Sequence, residues 1–121
     1  MYELVVKKSF SAAHSLREYH GDCARMHGHN WQAEVYVTAE KLDDAGFAID
    51  FNTLDKITAK IVSRFDHTYM NDIPPFDRIN PTAENLARII YNEIKKRIPE
   101  NIFLQGVKLW ETDSYSVTYR E

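Results

Sequence analysis

Two segments of the chain alternate between apolar and polar positions, which is typical of half-buried β-strands. In residues 2–13 the even positions from Leu4 are apolar, with one lysine as the exception. In residues 27–39 the odd positions from Trp31 onward are apolar, and mostly polar residues stand between them. The segment between the two is polar. The sequence therefore predicts two strands joined by a long loop.

The middle of the chain changes to a helical period. Apolar residues recur at helical spacing over residues 51–65, and either Asp50 or Asn52 can cap this helix. After a loop that contains three prolines, Thr82 precedes a second amphipathic pattern, which ends near Pro99. We therefore expect two helices.

The end of the chain returns to strands, with residues 104–111 and 116–119 predicted to form a hairpin across 112–115. The order ββααββ predicts an α+β fold, an antiparallel four-stranded sheet with both helices on one face. We see no repeat, linker or low-complexity segment, so residues 1–121 are expected to form one domain.

Composition excludes several classes of protein. The 121 residues include 15 basic and 18 acidic side chains and carry a net charge of −3, which predicts no nucleic-acid or membrane partner. No apolar run approaches the length of a membrane span. Cys23 is the only cysteine, so an internal disulfide is impossible and an oxidising compartment is not implied. We expect a cytoplasmic protein.

Three histidines fall where one metal ion could reach them. Residues i and i+2 of a strand point to the same face, so His27 and His29 project together, toward the side that the helices cover. His14 ends the neighbouring strand with matching parity. Three imidazoles with a fourth position left open are typical of catalytic zinc. The spacing predicts a zinc site that performs chemistry.

Two other interpretations of these histidines exist. Any one of them, taken alone, is more often a packed or solvated side chain than a ligand. The spacing Gly21-x5-His27-x-His29-x4-Glu34 also matches the first half of a cupin motif, which would mean iron or manganese in an all-β barrel. Against the cupin, Glu34 has the opposite strand parity, no second half of the motif occurs, and two helices fill the middle of the chain.

Further groups could move protons or hold a ligand. Cys23 lies four residues before His27 and can sit at the mouth of the metal site. Asp66 can orient the adjacent His67 as a base. Glu111 ends an apolar strand on its inward face, where a carboxylate either caps a structural network or binds an amide-like ligand edge.

Together these residues resemble a known family, the 6-pyruvoyltetrahydropterin synthase superfamily, and are most similar to its bacterial queuosine branch, the 6-carboxytetrahydropterin synthases. The similarity to this branch depends on the spacing of three residues between Cys23 and His27, since pyruvoyl-forming relatives usually carry a longer insert there. The segments that carry the resemblance occur in the family's order over essentially the whole chain: Phe10–His14, Cys23–Asn30, Ile49–Phe51, Asp66–His67, Asn80–Asn85 and Glu111–Asp113.

The resemblance implies the tunnelling fold, in which protomers join sheet edges into a barrel with pockets between subunits. A homo-oligomer is expected, most often a hexamer made of two trimers. It also implies a role for each candidate residue: zinc ligands His14, His27 and His29; general base Cys23, with Asp66 and His67 as its relay; pterin-ring anchor Glu111; and a ring contact from Thr82, beside which Ala83 replaces the usual hydroxyl residue.

The expected reaction converts 7,8-dihydroneopterin triphosphate to 6-carboxy-5,6,7,8-tetrahydropterin, acetaldehyde and triphosphate. Zinc is the expected cofactor, with no nicotinamide or flavin. Two alternatives stay open: formation of 6-pyruvoyltetrahydropterin within the same family, and a non-catalytic module that binds a pterin or a metal.

Overall fold

Two long antiparallel strands form the centre of the sheet. In the computed structural model, which describes residues 1–121, β1 (Tyr2–His14) pairs with β2 (His27–Ala39) along its entire length without a break in register. His14 lies opposite His27, and Ala12 lies opposite His29. The alternation in the sequence therefore predicted both strands correctly.

Three further strands extend this pair. β4 (Phe103–Trp110) is antiparallel to β2, and β5 (Ser116–Tyr119) is antiparallel to β4. A two-residue strand, β3 (Thr68–Tyr69), runs parallel to the end of β1, so the sheet has the order β3-β1-β2-β4-β5. The prediction of four strands was wrong by one because a strand this short carries no alternation to detect.

The two helices begin at side-chain caps. α1 (Phe51–Val62) starts after Asp50, whose carboxylate accepts a hydrogen bond of 2.8 Å from the backbone N–H of Asn52. α2 (Ala83–Lys95) starts after Thr82. Side-chain acceptors at these positions satisfy backbone donors that have no partner inside the helix. Of the two candidate caps for α1, Asp50 is the one used.

A single core lies between the helices and the inward face of the sheet. It contains Leu54 of α1, Leu86 of α2 and the apolar inward residues of β2 from Trp31 to Val37, all of which are fully buried. Trp31 is 0% exposed, and its indole N–H donates to the backbone carbonyl of Ala12 at 3.2 Å. This tryptophan forms an apolar floor beside the ends of β1 and β2. Neither helix has the length and apolar character needed to cross a membrane.

Candidate metal centre

The three predicted histidines converge at one end of the sheet. Their ring centroids lie 4.5 Å apart for His14 and His27, 4.8 Å for His27 and His29, and 5.1 Å for His14 and His29. Glu111, which follows β4, joins them, and the potential ligand atoms of all four residues lie within 4.8 Å of one another. We call these four residues the metal cluster. Antiparallel pairing brings His14 to His27, and the two-residue period of β2 brings His29 to the same face.

Backbone carbonyls orient two of the rings. Nδ1 of His14 lies 2.7 Å from the carbonyl oxygen of Pro81, and Nδ1 of His27 lies 2.7 Å from that of Arg25. A carbonyl oxygen can only accept, so each Nδ1 carries the proton. The neutral ring therefore has its lone pair on Nε2, as a metal ligand requires.

Burial favours the neutral form of the imidazoles. It lowers the pKa of His14 below its ordinary value, while the hydrogen bond to Pro81 acts in the opposite direction. Burial also lowers the pKa of His29, opposed by the negative charge of Glu111. A metal binds only the neutral imidazole, so the shifts favour the ligand form over a wider pH range.

The donor atoms fit a bound cation. Nε2 of His14 and Nε2 of His29 are buried without a hydrogen-bond partner, and an unsatisfied buried polar atom is costly. Zn–N distances of about 2.0–2.1 Å place tetrahedral ligands about 3.3 Å apart, so the cluster needs only a modest contraction. Nitrogen-rich sets with one carboxylate suit zinc and neighbouring transition metals.

Two asparagines fix the chain where it leaves His14. Asn71 accepts from the backbone N–H of Ser15 at 2.9 Å and donates to its carbonyl at 2.9 Å. Asn80 does the same for Arg17, at 2.8 and 2.9 Å. Neither asparagine was predicted to have this role, because the side-chain amides pair with backbone groups more than fifty positions away. Only the family motif that contains Asn80 marked that residue.

Thr82 has a structural role in addition to its predicted contact with the substrate. Its hydroxyl oxygen accepts from the backbone N–H of Asn85 at 3.1 Å and so caps α2. The preceding Pro81 supplies the carbonyl that orients His14. The start of α2 therefore helps to hold a ring of the metal cluster in place.

The predicted base lies outside the cluster. Cys23 is half-buried in a three-residue 3₁₀ turn, Asp22–Ala24, within the connection between β1 and β2. Its carbonyl accepts from the backbone N–H of Leu16 at 3.0 Å. Both ends of this connection carry histidines of the cluster, so the turn lies in the segment that joins His14 to His27.

The predicted relay pair is formed, but the histidine faces solvent. A carboxylate oxygen of Asp66 lies 2.9 Å from Nδ1 of His67 and also accepts from the backbone N–H of Ser11 at 2.9 Å. The Ser11 hydrogen bond lowers the pKa of Asp66, which keeps the carboxylate charged. His67 has a side chain that is 82% exposed and a positive φ of 58°. It does not belong to the metal cluster of its own chain.

The cupin interpretation does not fit the structure. Glu34 is buried on the other face of the sheet, where it accepts from the hydroxyl of Tyr36 at 2.5 Å and lies 3.4 Å from Nζ of Lys7. The hydrogen bond to Glu34 raises the pKa of Tyr36 to about 12. The carboxylate is thus committed to a separate network and cannot join the histidines.

Comparison with known proteins identifies the family of this chain. The family described as 6-pyruvoyl tetrahydropterin synthase matches residues 3–121. The structure of Caenorhabditis elegans 6-pyruvoyl tetrahydropterin synthase is similar, with a TM-score of 0.89 and 26% identity over 99% of this chain and 95% of that one. The chain therefore belongs to the 6-pyruvoyl tetrahydropterin synthase family.

Relatives within the family have several activities. A 6-carboxy-5,6,7,8-tetrahydropterin synthase of Bacillus subtilis is 37% identical over 78% of this chain and 66% of its own length. One from Rickettsia conorii is 33% identical over 85% of this chain and 88% of its own length. A dihydroneopterin monophosphate aldolase of Pyrococcus furiosus is 32% identical over 94% of this chain and 93% of its own length. The names of these three relatives thus give two different reactions.

The cap made by Thr82 can be tested by a pair of substitutions. Thr82→Ala should lower the free energy of unfolding by about 1 kcal/mol, because one backbone donor of α2 loses its acceptor. Thr82→Asn should recover most of this loss, since asparagine caps well. Urea denaturation followed by circular dichroism measures both. Equal destabilisation by the two variants would contradict the capping role.

Proposed function

We propose that this chain is a zinc-dependent lyase that converts 7,8-dihydroneopterin triphosphate and one water molecule to 6-carboxy-5,6,7,8-tetrahydropterin, acetaldehyde and triphosphate. The reaction would serve queuosine biosynthesis in the cytoplasm, where Cys23 stays reduced. The observation that carries the proposal is the convergence of His14, His27 and His29, with two buried Nε2 atoms unpartnered, beside Glu111. Several relatives named 6-carboxy-5,6,7,8-tetrahydropterin synthase support the choice of reaction.

The three histidines would hold the zinc, each through a neutral ring nitrogen. When bound, zinc supplies Lewis acidity to the hydroxyl groups of the substrate side chain, which eases loss of a proton from the adjacent carbon. The Pro81 and Arg25 carbonyls keep the rings of His14 and His27 oriented before substrate arrives. Preorganised ligands of this kind need no rearrangement during the reaction.

Cys23 would take the proton as a thiolate, and His67 would relay it. The Asp66 carboxylate fixes the proton of His67 on Nδ1, so Nε2 is free to accept. Because the ring is exposed and lies outside its own metal cluster, it is available to a pocket that a neighbouring protomer completes.

Glu111 and Thr82 would bind the pterin ring. The 2-amino group and N3–H of a pterin form two parallel donors, an edge that a carboxylate accepts in bidentate fashion. Glu111 is partly exposed, with 30% of its side chain accessible, so a ligand can reach it. The hydroxyl of Thr82 accepts from the helix and still has its own proton to donate.

The reaction is tested by incubating purified protein with dihydroneopterin triphosphate and measuring product masses. We expect 6-carboxytetrahydropterin with acetaldehyde and free triphosphate. A pterin that retains its three-carbon side chain would instead assign the pyruvoyl-forming reaction. A product with a hydroxymethyl side chain, formed preferentially from dihydroneopterin monophosphate, would instead assign an aldolase reaction to this chain. Binding without any product would indicate a non-catalytic pterin module.

Substitution of Cys23 shows whether this residue acts as a general base or as a metal ligand. Cys23→Ala should retain zinc and bind substrate, but its turnover should fall by about 10²–10⁴-fold, the usual cost of removing a general base. Met26→Ala is a matched control, because Met26 is an exposed residue in the same connection. Steady-state kinetics and metal analysis give the two readouts. Loss of zinc from Cys23→Ala would make the cysteine a ligand and contradict its role as base.

The open edges of the sheet lead us to propose a homo-oligomer. β1 pairs with another strand on its outer side only at Ala12 and Ala13, and β5 is the last strand at the opposite edge. Unpaired strand edges of this length are usually covered or paired. We expect a hexamer of two trimers in light scattering at micromolar concentration. A monomer that stays fully active would contradict both the barrel and an intersubunit pocket.

A further inference from the structure

The carboxylate of Glu111 lies among the metal ligands, a position that its expected role as pterin anchor does not explain. Oε1 of Glu111 is 3.1 Å from Nε2 of His29. We propose that Glu111 is the fourth ligand of the metal before substrate binds, and that it leaves the metal when a pterin arrives. The inference rests on the proposed function for the identity of the metal and the substrate.

The contact between Glu111 and His29 has the geometry of two ligands that flank one ion. At 3.1 Å the atoms are close enough for a hydrogen bond, yet Nε2 of His29 has no hydrogen-bond partner. The contact therefore does not have the geometry of a hydrogen bond. The separation is close to the roughly 3.3 Å between ligands of a tetrahedral zinc with bonds of about 2.0–2.2 Å.

The other two histidines complete the same arrangement. Nδ1 of His14 and Nδ1 of His27 are each occupied by a backbone carbonyl, so both rings have Nε2 left for an ion. Nε2 of His14 is buried and unpartnered as well. Three neutral nitrogens and one carboxylate reduce the net charge of a bound divalent ion to about +1, which eases its burial.

A closed set of four protein ligands must open for catalysis, because catalytic zinc keeps a position for water or substrate. Glu111 is the ligand best placed to leave. It follows the last residue of β4 and directly precedes the turn 112–115, of which residues 113–115 are exposed, and 30% of its side chain is accessible. His14, in contrast, is 1% exposed and held by Pro81. A pterin edge with two donors would give the departing carboxylate a new partner.

Cobalt-substituted protein without substrate tests the resting coordination. Glu111→Gln keeps the shape of the side chain but removes its charge. It should change the visible d–d bands and weaken zinc affinity at least about tenfold, since even outer partners of ligands contribute about 10–100-fold. Asp113→Asn is the matched control: it removes a charge two residues away, on an exposed side chain outside the metal cluster, and should change neither. A chelator competition measures the affinity.

Release of the carboxylate is tested by adding neopterin, a pterin that carries the side-chain hydroxyls. Neopterin should change the d–d bands of wild-type protein toward those of Glu111→Gln. The carboxylate of Glu111 would leave the metal and accept hydrogen bonds from the pterin ring instead. Unchanged wild-type bands at saturating neopterin would overturn the exchange.

Different results would contradict the proposed function and the role of Glu111 as a ligand. If Glu111→Gln leaves both the cobalt spectrum and the zinc affinity unchanged while His29→Ala loses the metal, Glu111 is not a ligand and the histidine site stands. If His29→Ala retains one zinc per chain, the histidine site itself is wrong. Circular dichroism of each variant shows that it is folded, and the isosteric Glu111→Gln decides the inference even if His29→Ala does not fold.

Discussion

The unbroken register between β1 and β2 is the constraint on which the metal centre depends. It sets His14 opposite His27 and leaves His29 diagonally across from His14. Because side chains alternate between the two faces, a slip of one residue would turn His27 and His29 away from the core. The same slip would expose Trp31, which is completely buried. Hydrophobic burial along β2 therefore fixes the positions of His27 and His29 as well as the register of the strand.

The helical layer fixes the site from the other side. Pro81 and Thr82 precede α2 directly, and one supplies the carbonyl for His14 while the other caps the helix. Asn80 holds the backbone of Arg17, just after β1. One short segment thus ties the start of a helix to the end of a strand. Hydrogen bonds to backbone groups orient the rings more strictly than apolar packing would, since they depend on direction as well as distance.

The two faces of the sheet carry different groups of buried polar side chains. The inward face holds the core and the metal cluster, whereas the outward face contains its own buried carboxylate, Glu34, satisfied by Tyr36 and Lys7. Asp66 and His67 form their pair without contact to the cluster of the same chain. The inward metal cluster is therefore separate from both the Glu34 network and the Asp66–His67 pair.

Local pattern determined the strands, the helices and the histidine set. Burial imposes a period of two on β1 and β2 and a helical period on α1 and α2, and both periods are legible in single segments. The parity of His14, His27 and His29 followed from the same periods. The segment motifs also indicated the family, to which the chain belongs.

Contacts between distant segments were decided only by the tertiary structure. The two-residue β3 exists because the chain passes the end of β1, and its own sequence has no strand pattern. The amide pairs of Asn71 and Asn80, the carbonyl that orients His14, and the approach of Glu111 to His29 each join residues far apart in sequence. Parity could place the Glu111 side chain on the inward face, but its distance from the histidines depends on how β4 packs beside β2. Sequence periodicity encodes which face a residue occupies; the packed chain alone sets which atoms meet there.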